Sequence, residues 1–182
     1  MSDWPSPLWL PAGTNHLTSF GPNALGPGLA INGGWGSAAY PSANLILYVP
    51  FRLEQPTLIR KVFWANGATV SGNVDCGVYD RTGVKLFASG STAQSGVSVV
   101  QAVDITDYQL GSGQFFMALT LDGTTGTLLR NLNTSTVSIL RCVGMLEEAA
   151  VAFGLPATAT FAVMATAAYV PAFGLVIEVG GV

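Results

Sequence analysis

Residues 45–53 read LILYVPFRL, and this stretch decides the fold class. Its apolar residues recur at every second position, the period of a β-strand with one face toward a core: Leu45, Leu47, Val49, Phe51 and Leu53. TLIRKVFWA (57–65) follows after a short Glu-Gln-Pro turn, and NVDCGVYD (73–80) follows after a loop of Gly, Asn, Ser and Thr. The pattern predicts consecutive β-strands joined by polar turns.

Further segments continue the β pattern, with turn signals about every dozen residues. They are VKLFAS (84–89), VSVVQAVDI (97–105), QFFMALTLD (114–122) and VSILRCV (137–143). Asp80–Gly83 is typical of a hairpin loop, because glycine reaches positive φ without strain. Helical periodicity is confined to a weak pattern in RCVGMLEEAAVAF (141–153). We expect an all-β antiparallel β-sandwich, with a jelly roll favoured and an immunoglobulin-like sandwich as the alternative.

The 182 residues suit one domain with extensions. We expect an extended N-terminal arm over residues 1–43, the β-sandwich over 44–145, and C-terminal strands or a second arm over 146–182 that pack on the domain or on a neighbour. The predicted core consists of Leu47, Val49, Phe51, Val62, Val74, Val78, Val99, Val103, Met117 and Leu119.

The composition is apolar and poor in charge. Hydrophobic residues make up 49% of the chain and charged residues 9%, whereas soluble domains average about 25% charged residues. Such a surface is weakly protected against association, so we expect partners to cover much of it. The net charge is -3 and the basic residues are scattered, which argues against nucleic-acid binding.

Three features bear on compartment and membrane. The N-terminal MSDWPSPLWLPAG lacks a basic region and is broken by prolines, so we expect no signal peptide and synthesis in a reducing cytoplasm. Cys76 and Cys142 lie in apolar runs and are interpreted as free buried thiols, with a disulfide between them as the alternative. Residues 149–177 carry no charge, but glycines and prolines punctuate them, and we expect no membrane span.

Residues that could support catalysis are few. His16 is the one histidine and lies in the irregular arm, without the strained elbow that a nucleophilic serine requires. Most of the ten acids occupy predicted strand ends or turns, where they cap the backbone. Asp104 and Asp107 do not provide the six or more oxygens that calcium requires. We therefore expect no enzymatic activity, no cofactor and no metal.

A sugar-binding site is harder to dismiss from the sequence. Sugar-binding sandwiches present aromatic rings as stacking platforms beside amide and carboxylate groups. The chain places such groups at a strand end and at a turn: Trp64, Asn66, Tyr79 and Asp80. The alternative is that Trp64 packs in the core or at a subunit contact.

One long block carries a resemblance to a known group of proteins. It runs YVPFRLEQPTLIRKVFWANGATVSGNVDCGVYDRTGVKLFASGSTAQSG (48–96) and continues in LGSGQFFMALTLDGTTGT (110–127). This succession of strands and turns resembles small β-sandwich virion proteins of tailed bacteriophages, which include head-decoration and minor tail proteins. The resemblance covers the strands and turns and implies no catalytic residues.

The resemblance implies a non-enzymatic virion protein, most simply a capsid decoration protein, with a minor tail or fibre protein that binds host glycan or receptor as the alternative. It also implies a homo-oligomer, expected to be a trimer, on a major capsid or tail protein. We expect the arm or the C-terminal segment to cross subunit boundaries. The predicted assembly contacts are Trp4, Trp9, Trp35, Phe161, Tyr169 and Phe173.

Overall fold

A computed structural model describes residues 16–18, 35–131, 137–165 and 169–178. These residues form thirteen strands and one short helix. In chain order the elements are β1 (His16–Thr18), β2 (Trp35–Ala39), β3 (Leu45–Leu53), β4 (Thr57–Ala65), β5 (Asn73–Asp80), β6 (Lys85–Ala88), β7 (Thr92–Ala93), β8 (Val100–Leu110), β9 (Gly113–Leu121), β10 (Thr127–Asn131), α1 (Val137–Cys142), β11 (Leu146–Ala149), β12 (Ala162–Val163) and β13 (Phe173–Glu178).

Two antiparallel sheets form the sandwich. The seven-stranded sheet has the order β12-β11-β3-β9-β5-β6, with β7 also pairing with β5, and the four-stranded sheet has the order β1-β13-β4-β8. A two-stranded sheet of β10 and β2 lies beside them. Buried side chains from both large sheets, such as Leu47 of β3 and Val62 of β4, belong to one core cluster. The predicted all-β sandwich is confirmed.

The connections between the sheets distinguish the two predicted architectures. Successive strands β3, β4 and β5 alternate between the sheets, β8 returns beside β4, and β9 inserts between β3 and β5. An immunoglobulin sandwich instead places its first two strands in one sheet. The interleaved order favours the jelly roll.

The period-2 pattern predicts burial for one face of β3, but residues on both faces are buried. The predicted inward residues, from Leu45 to Leu53, are all buried in the core between the sheets. Ile46 and Tyr48 on the opposite face are also fully buried, in a second apolar cluster. The seven-stranded sheet is therefore covered on both faces.

The predicted turn between β5 and β6 is confirmed. Asp80 accepts hydrogen bonds at its Oδ1 from the backbone N–H groups of Thr82 and Val84, at 2.8 and 2.9 Å. Gly83 has a φ of +89°, a value that L-residues with a Cβ rarely adopt. Its N–H donates to the Asp80 carbonyl at 3.1 Å.

Two predicted elements near residue 140 are wrong. VSILRCV forms the helix Val137–Cys142 rather than a strand, and Leu146–Ala149 within the weak helical pattern is a strand. The helix ends at Gly144, whose φ is +80°: Gly144 N–H donates to Arg141 O and Met145 N–H to Leu140 O, both at 3.0 Å. These two hydrogen bonds form a Schellman cap. Residues 146–149 then pair with β3. Hydrogen bonding to the backbone of β3 outweighs the weak helical preference of these residues.

Nine of the ten predicted core residues are buried or pack partly buried against the core, and Val99 is wrong. Val99 is 47% exposed and lies in the turn before β8, which begins at Val100. Ser98 adopts a φ of 56° and donates its N–H to the Gly67 carbonyl at 2.9 Å. This turn takes the predicted start of the strand out of the ladder.

The described part of the N-terminal arm belongs to the folded domain. β2 pairs with β10 over Trp35–Ala39, and Tyr40 is 1% exposed. The Tyr40 hydroxyl lies 2.9 Å from Leu45 O and 3.0 Å from Leu119 O. β1 also pairs with β13 over residues 16–18, so the domain includes described residues well before the predicted boundary at residue 44.

The C-terminal uncharged segment is also part of the domain where it is described. β13 lies between β1 and β4 in the four-stranded sheet, so here the alternative of C-terminal strands on the domain is the observed one. Over the described ranges, no helix is both long and apolar enough to span a bilayer.

Candidate functional site

A continuous stretch of chain covers the outer face of the seven-stranded sheet. We name residues 150–165 the strap. Its Leu155 is 4% exposed and packs with Ile46, Tyr48, Tyr79 and Ala118 of the sheet. Val84 and Thr158 form an isolated antiparallel bridge between the β5–β6 turn and the strap. The strap is therefore a third layer of the fold.

Aromatic rings fill the space between the strap and the sheet. The Phe161 ring of the strap lies 4.9 Å from the Tyr48 ring and 4.7 Å from the Phe116 ring, measured between centroids. Tyr48 and Tyr79 make an edge-on contact at 5.4 Å. Edge-to-face pairs at these distances add to the free energy of burial, so Phe161 anchors the strap.

Three carboxylates hold the strap by its backbone. Asp75 Oδ2 accepts the Leu155 N–H, Glu148 Oε2 accepts the Thr160 N–H, and Glu147 Oε1 accepts the Ala165 N–H, each at 2.9 Å. Hydrogen bonds to a charged acceptor are stronger than neutral ones. These acids, which we name the strap clamps, lie within strands β5 and β11 rather than at turns.

Two tyrosine hydroxyls complete this layer. Tyr48 donates to Glu148 Oε2 at 2.7 Å, and Tyr79 donates to the Pro156 carbonyl at 2.6 Å. Burial raises the pKa of Tyr48, and the bond to Glu148 raises it further. Burial likewise raises the pKa of Tyr79, with the Glu148 and Asp75 carboxylates adding to the shift. Both phenols stay protonated donors near neutral pH.

A surface cavity of about 650 Å³ runs along the start of the strap and reaches Thr160 and Ala162. Glu148 is the one ionisable residue in its lining, which is otherwise made mainly of alanine, valine, phenylalanine and leucine. One oxygen of that carboxylate is already bonded to the strap and to Tyr48. The cavity lining therefore does not supply the carboxylate pair of a glycosidase.

The predicted stacking platform is wrong. Trp64 and Tyr79 are each 0% exposed, so neither ring offers a face to a sugar. Trp64 packs between the two sheets and Tyr79 packs under the strap, so the fold separates them. The alternative interpretation, in which Trp64 belongs to the core, is the observed one.

The two polar members of that platform have structural roles. Asn66 donates through Nδ2 to Ser95 O at 2.7 Å and to Gln101 Oε1 at 3.0 Å, and its Oδ1 accepts from Gln94 Nε2 at 3.1 Å. Asp80 caps the β5–β6 turn, and its hydrogen bond from the Thr82 hydroxyl lowers the pKa of the Asp80 carboxyl. Asn66 thus organises one end of the sandwich without lying in a platform.

The residues predicted as assembly contacts do not form one surface. Tyr169 and Phe173 are 4% and 0% exposed and belong to the core between the sheets, so a role at subunit contacts is wrong for them. Phe161 anchors the strap. Trp4, Trp9 and the side chain of Trp35 lie outside the described residues.

The acids singled out for metal or catalysis form surface ion pairs. Lys61 Nζ lies 2.8 Å from Asp104 Oδ1, and Arg60 Nε lies 4.0 Å from Asp107 Oδ2. His16 is part of β1, opposite Val176. Across the described ranges, no three His, Cys, Asp or Glu side chains converge in a way that could hold a metal ion. Cys76 is buried as a free thiol, and burial raises its pKa.

The sequence patterns missed the exposed apolar side chains. Val97, Val99 and Val100 are 54%, 47% and 64% exposed just before and at the start of β8, and Val163 of β12 is 59% exposed. Gly96 with a φ of +81° and Ser98 with a φ of 56° build the turn that exposes the first two. The glycine in the sequence was the signal for that turn. Exposed apolar clusters of this kind mark contact surfaces.

No protein-family model matches the chain, and no curated protein or solved structure matches it either. The function of the site is therefore interpreted from the contacts of the residues described above.

Proposed function

We propose that the chain is a non-enzymatic structural protein of a bacteriophage virion, most simply a decoration protein that stabilises the capsid. In this role it contacts copies of itself and the major capsid protein through uncharged surface. The resemblance of residues 48–96 and 110–127 to phage β-sandwich virion proteins points to this location.

The observation that carries the proposal is the exposure of valines on a charge-poor surface. Val97, Val99 and Val100 lie together at one end of the sandwich, beside the amide cluster of Asn66, Gln94 and Gln101. Charged residues make up 9% of the chain, so little charge opposes close approach of a neighbour. Full burial of an exposed side chain of this kind contributes roughly 1.5–3 kcal/mol, and these valines, which are about half exposed, can contribute roughly half of that to association.

The roles of the strap clamps support a structural function. Asp75, Glu147 and Glu148 each bind a backbone N–H of the strap, and the strap closes one face of the seven-stranded sheet. These carboxylates therefore hold the third layer of the fold in place, which is a structural role and not a catalytic one.

The location is tested on purified particles of the phage that encodes the chain. Antibody fragments against the protein, seen by electron microscopy, should decorate the whole head surface, and protein quantification should give hundreds of copies per particle. A few copies at the tail tip would contradict the decoration role and support the second candidate.

The absence of catalysis has its own test. Turnover of polysaccharides, esters or peptides that is lost in Glu148→Gln, while the variant keeps its fold by circular dichroism, would contradict a purely structural role. Asp104→Asn is the matched control, because Asp104 is an exposed partner of Lys61.

The second candidate is a minor tail or fibre protein that binds glycan or receptor. The observation that favours it is the uncharged hydroxyl and amide surface around Ser37, Thr69 and Thr127, where Ala68 N–H binds Ser37 Oγ and Thr69 N–H binds Thr127 Oγ1. A glycan array that shows binding by the native protein and none by Thr69→Ala would support it. Trp64→Ala is unsuitable here, because it removes a core residue.

A further inference from the structure

Backbone hydrogen bonds show which groups of β8 face away from the domain. Asn66 N–H donates to Val99 O at 2.9 Å, in line with the register in which Ala65 faces Val100. Hydrogen-bonded and non-bonded pairs alternate along an antiparallel ladder. Val100, Ala102 and Asp104 therefore point their N–H and C=O groups away from β4. Ala65 N–H, which donates to Ala172 O on the β13 side at 2.8 Å, agrees with this assignment.

The regular part of this edge is short and mostly apolar. Beyond Asp104 one residue of β4, Arg60, faces three residues of β8, 105–107, and such a bulge interrupts an edge. Val100 at the start of β8 is 64% exposed. The available edge thus extends over residues 100–104, and within the described chain β8 pairs with β4 alone.

The other edge considered is β12, which belongs to the seven-stranded sheet and lies on the opposite flank of the domain. β12 pairs with β11 on one side, and it ends the strand order of its sheet as the structure describes it. β8 lies on the flank of β6, since the Phe87 and Tyr108 rings are 5.0 Å apart. β12 is five strand spacings from β6, which is about 24 Å at the usual spacing. Ala162 is exposed and Val163 is 59% exposed.

We propose that the β8 edge of one copy binds the β12 edge of the next copy, head to tail. This inference deepens the proposed assembly role and rests on it. The occupant of each edge is a second copy, because both edges expose a valine, Val100 or Val163, and residues 157–165 around β12 carry no charge. Head-to-tail contacts that close generate a ring, which fits the expected trimer.

Symmetric pairing of two β8 edges fits less well. A two-fold axis at Ala102 places Val100 of each copy opposite Asp104 of the other, and the Asp104 side chain is 82% exposed. An apolar side chain then faces a charge twice. The β12 edge instead offers Val100 an uncharged partner, because residues 157–165 carry no charge, so the apolar pattern favours the head-to-tail contact.

The test uses the full chain and measures mass in solution by light scattering. Ala102→Pro removes an outward N–H of β8, a change that edge strands tolerate, and Val163→Lys places a charge on the β12 edge. Each variant alone should be monomeric. An equimolar mixture should form a one-to-one dimer and nothing larger, because one intact β8 edge and one intact β12 edge remain. Circular dichroism and urea unfolding confirm that each variant is folded.

Gln114→Lys is the matched control, because Gln114 is exposed on β9, three strand spacings from β12 in the sheet, and this variant should assemble like the native chain. A monomeric native chain at its highest soluble concentration overturns the inference. So does a Val163→Lys variant that assembles normally, or a mixture that stays monomeric. If rings form in solution but no copies are found on particles, the contact stands and the proposed virion role fails.

Discussion

The two faces of the seven-stranded sheet are both buried, but by different means. The inner face packs against the second sheet through aliphatic and aromatic side chains such as Leu47, Met117 and Leu119. The outer face packs four buried residues of the sheet against Leu155 and the rest of the strap, and carboxylates bind the strap backbone. Away from β12 and from its backbone bonds with residues 83–85, the strap satisfies N–H groups through side-chain acceptors instead of a ladder.

This difference separates two kinds of stability. Packing between two sheets is lost only when the sheets separate, so it should contribute to global unfolding. A strap held by three clamps and one aromatic anchor can open while the sandwich stays folded, because local stabilities differ within one domain. The predictions below test whether the two layers are independent.

The largest effect is expected in alkali, and it involves both layers. Burial raises the pKa of Tyr40 and Tyr169 in the inner layer and of Tyr48 and Tyr79 in the outer layer. Unfolded tyrosine ionises near pH 10, so above that pH the unfolded state releases protons that the folded state keeps. The contribution of these tyrosines to stability is therefore constant below about pH 10 and falls above it, by up to about 1.4 kcal/mol per pH unit for each tyrosine.

Urea unfolding between about pH 8 and pH 11 measures this slope. Tyr79→Phe removes one of the four contributions and should flatten the fall. An unfolding free energy that stays level across the whole range would contradict the burial of these phenols.

Trp64→Ala should give the largest loss among single substitutions. Trp64 is fully buried between the sheets, and large-to-small changes of this kind cost about 3–5 kcal/mol. Trp64→Phe is the control and should cost less, because the indole Nε1 finds no acceptor among the described residues. The measurement is the urea midpoint of the whole domain. A folded Trp64→Ala variant of native stability would restore the surface interpretation of this residue.

Asp75→Ala should have an intermediate effect and act on the outer layer. Asp75 is 4% exposed and accepts the Leu155 N–H, and a buried donor left without an acceptor costs about 1–3 kcal/mol. Hydrogen exchange of residues 150–165 should accelerate more than exchange of β3 and β9. Asp75→Asn retains an acceptor oxygen and should stay close to the native rate. Equal acceleration in both layers would show that they unfold together.

The smallest effect is expected at the surface pair of Lys61 and Asp104. The side chains are 42% and 82% exposed, and exposed ion pairs contribute between 0 and about 1 kcal/mol. Lys61→Ala should shift the urea midpoint only slightly, and high salt should remove the difference. A loss comparable with that of Asp75→Ala would mean that the outer surface of the four-stranded sheet has a structural role of its own.

Local sequence patterns predicted most of the inner layer. The alternation in LILYVPFRL identified the inward face of β3, and the strands 57–65 and 73–80 match the observed bounds. The same alternation predicted a strand at VSILRCV, which forms a helix. Its β-branched and apolar residues suit either structure, and a Schellman cap at Gly144 selects the helix.

The candidate site could not be obtained in the same way. Trp64, Asn66, Tyr79 and Asp80 are close in sequence, but β4 and β5 belong to different sheets, so the fold directs the two rings into different layers. The clamps join positions up to 80 residues apart, as between Asp75 and Leu155, and no local period encodes such a pair.

By itself the sequence determined an all-β chain with a scarcity of charge, because alternation and composition are local properties. Only the tertiary structure decided that residues 150–165 form a third layer held by carboxylates. It also decided that, among the residues described, β8 and β12 end their sheets on opposite flanks. The physical reason is that a strand's neighbours are set by the strands that return to it along the chain, and that choice depends on the packing of the whole domain.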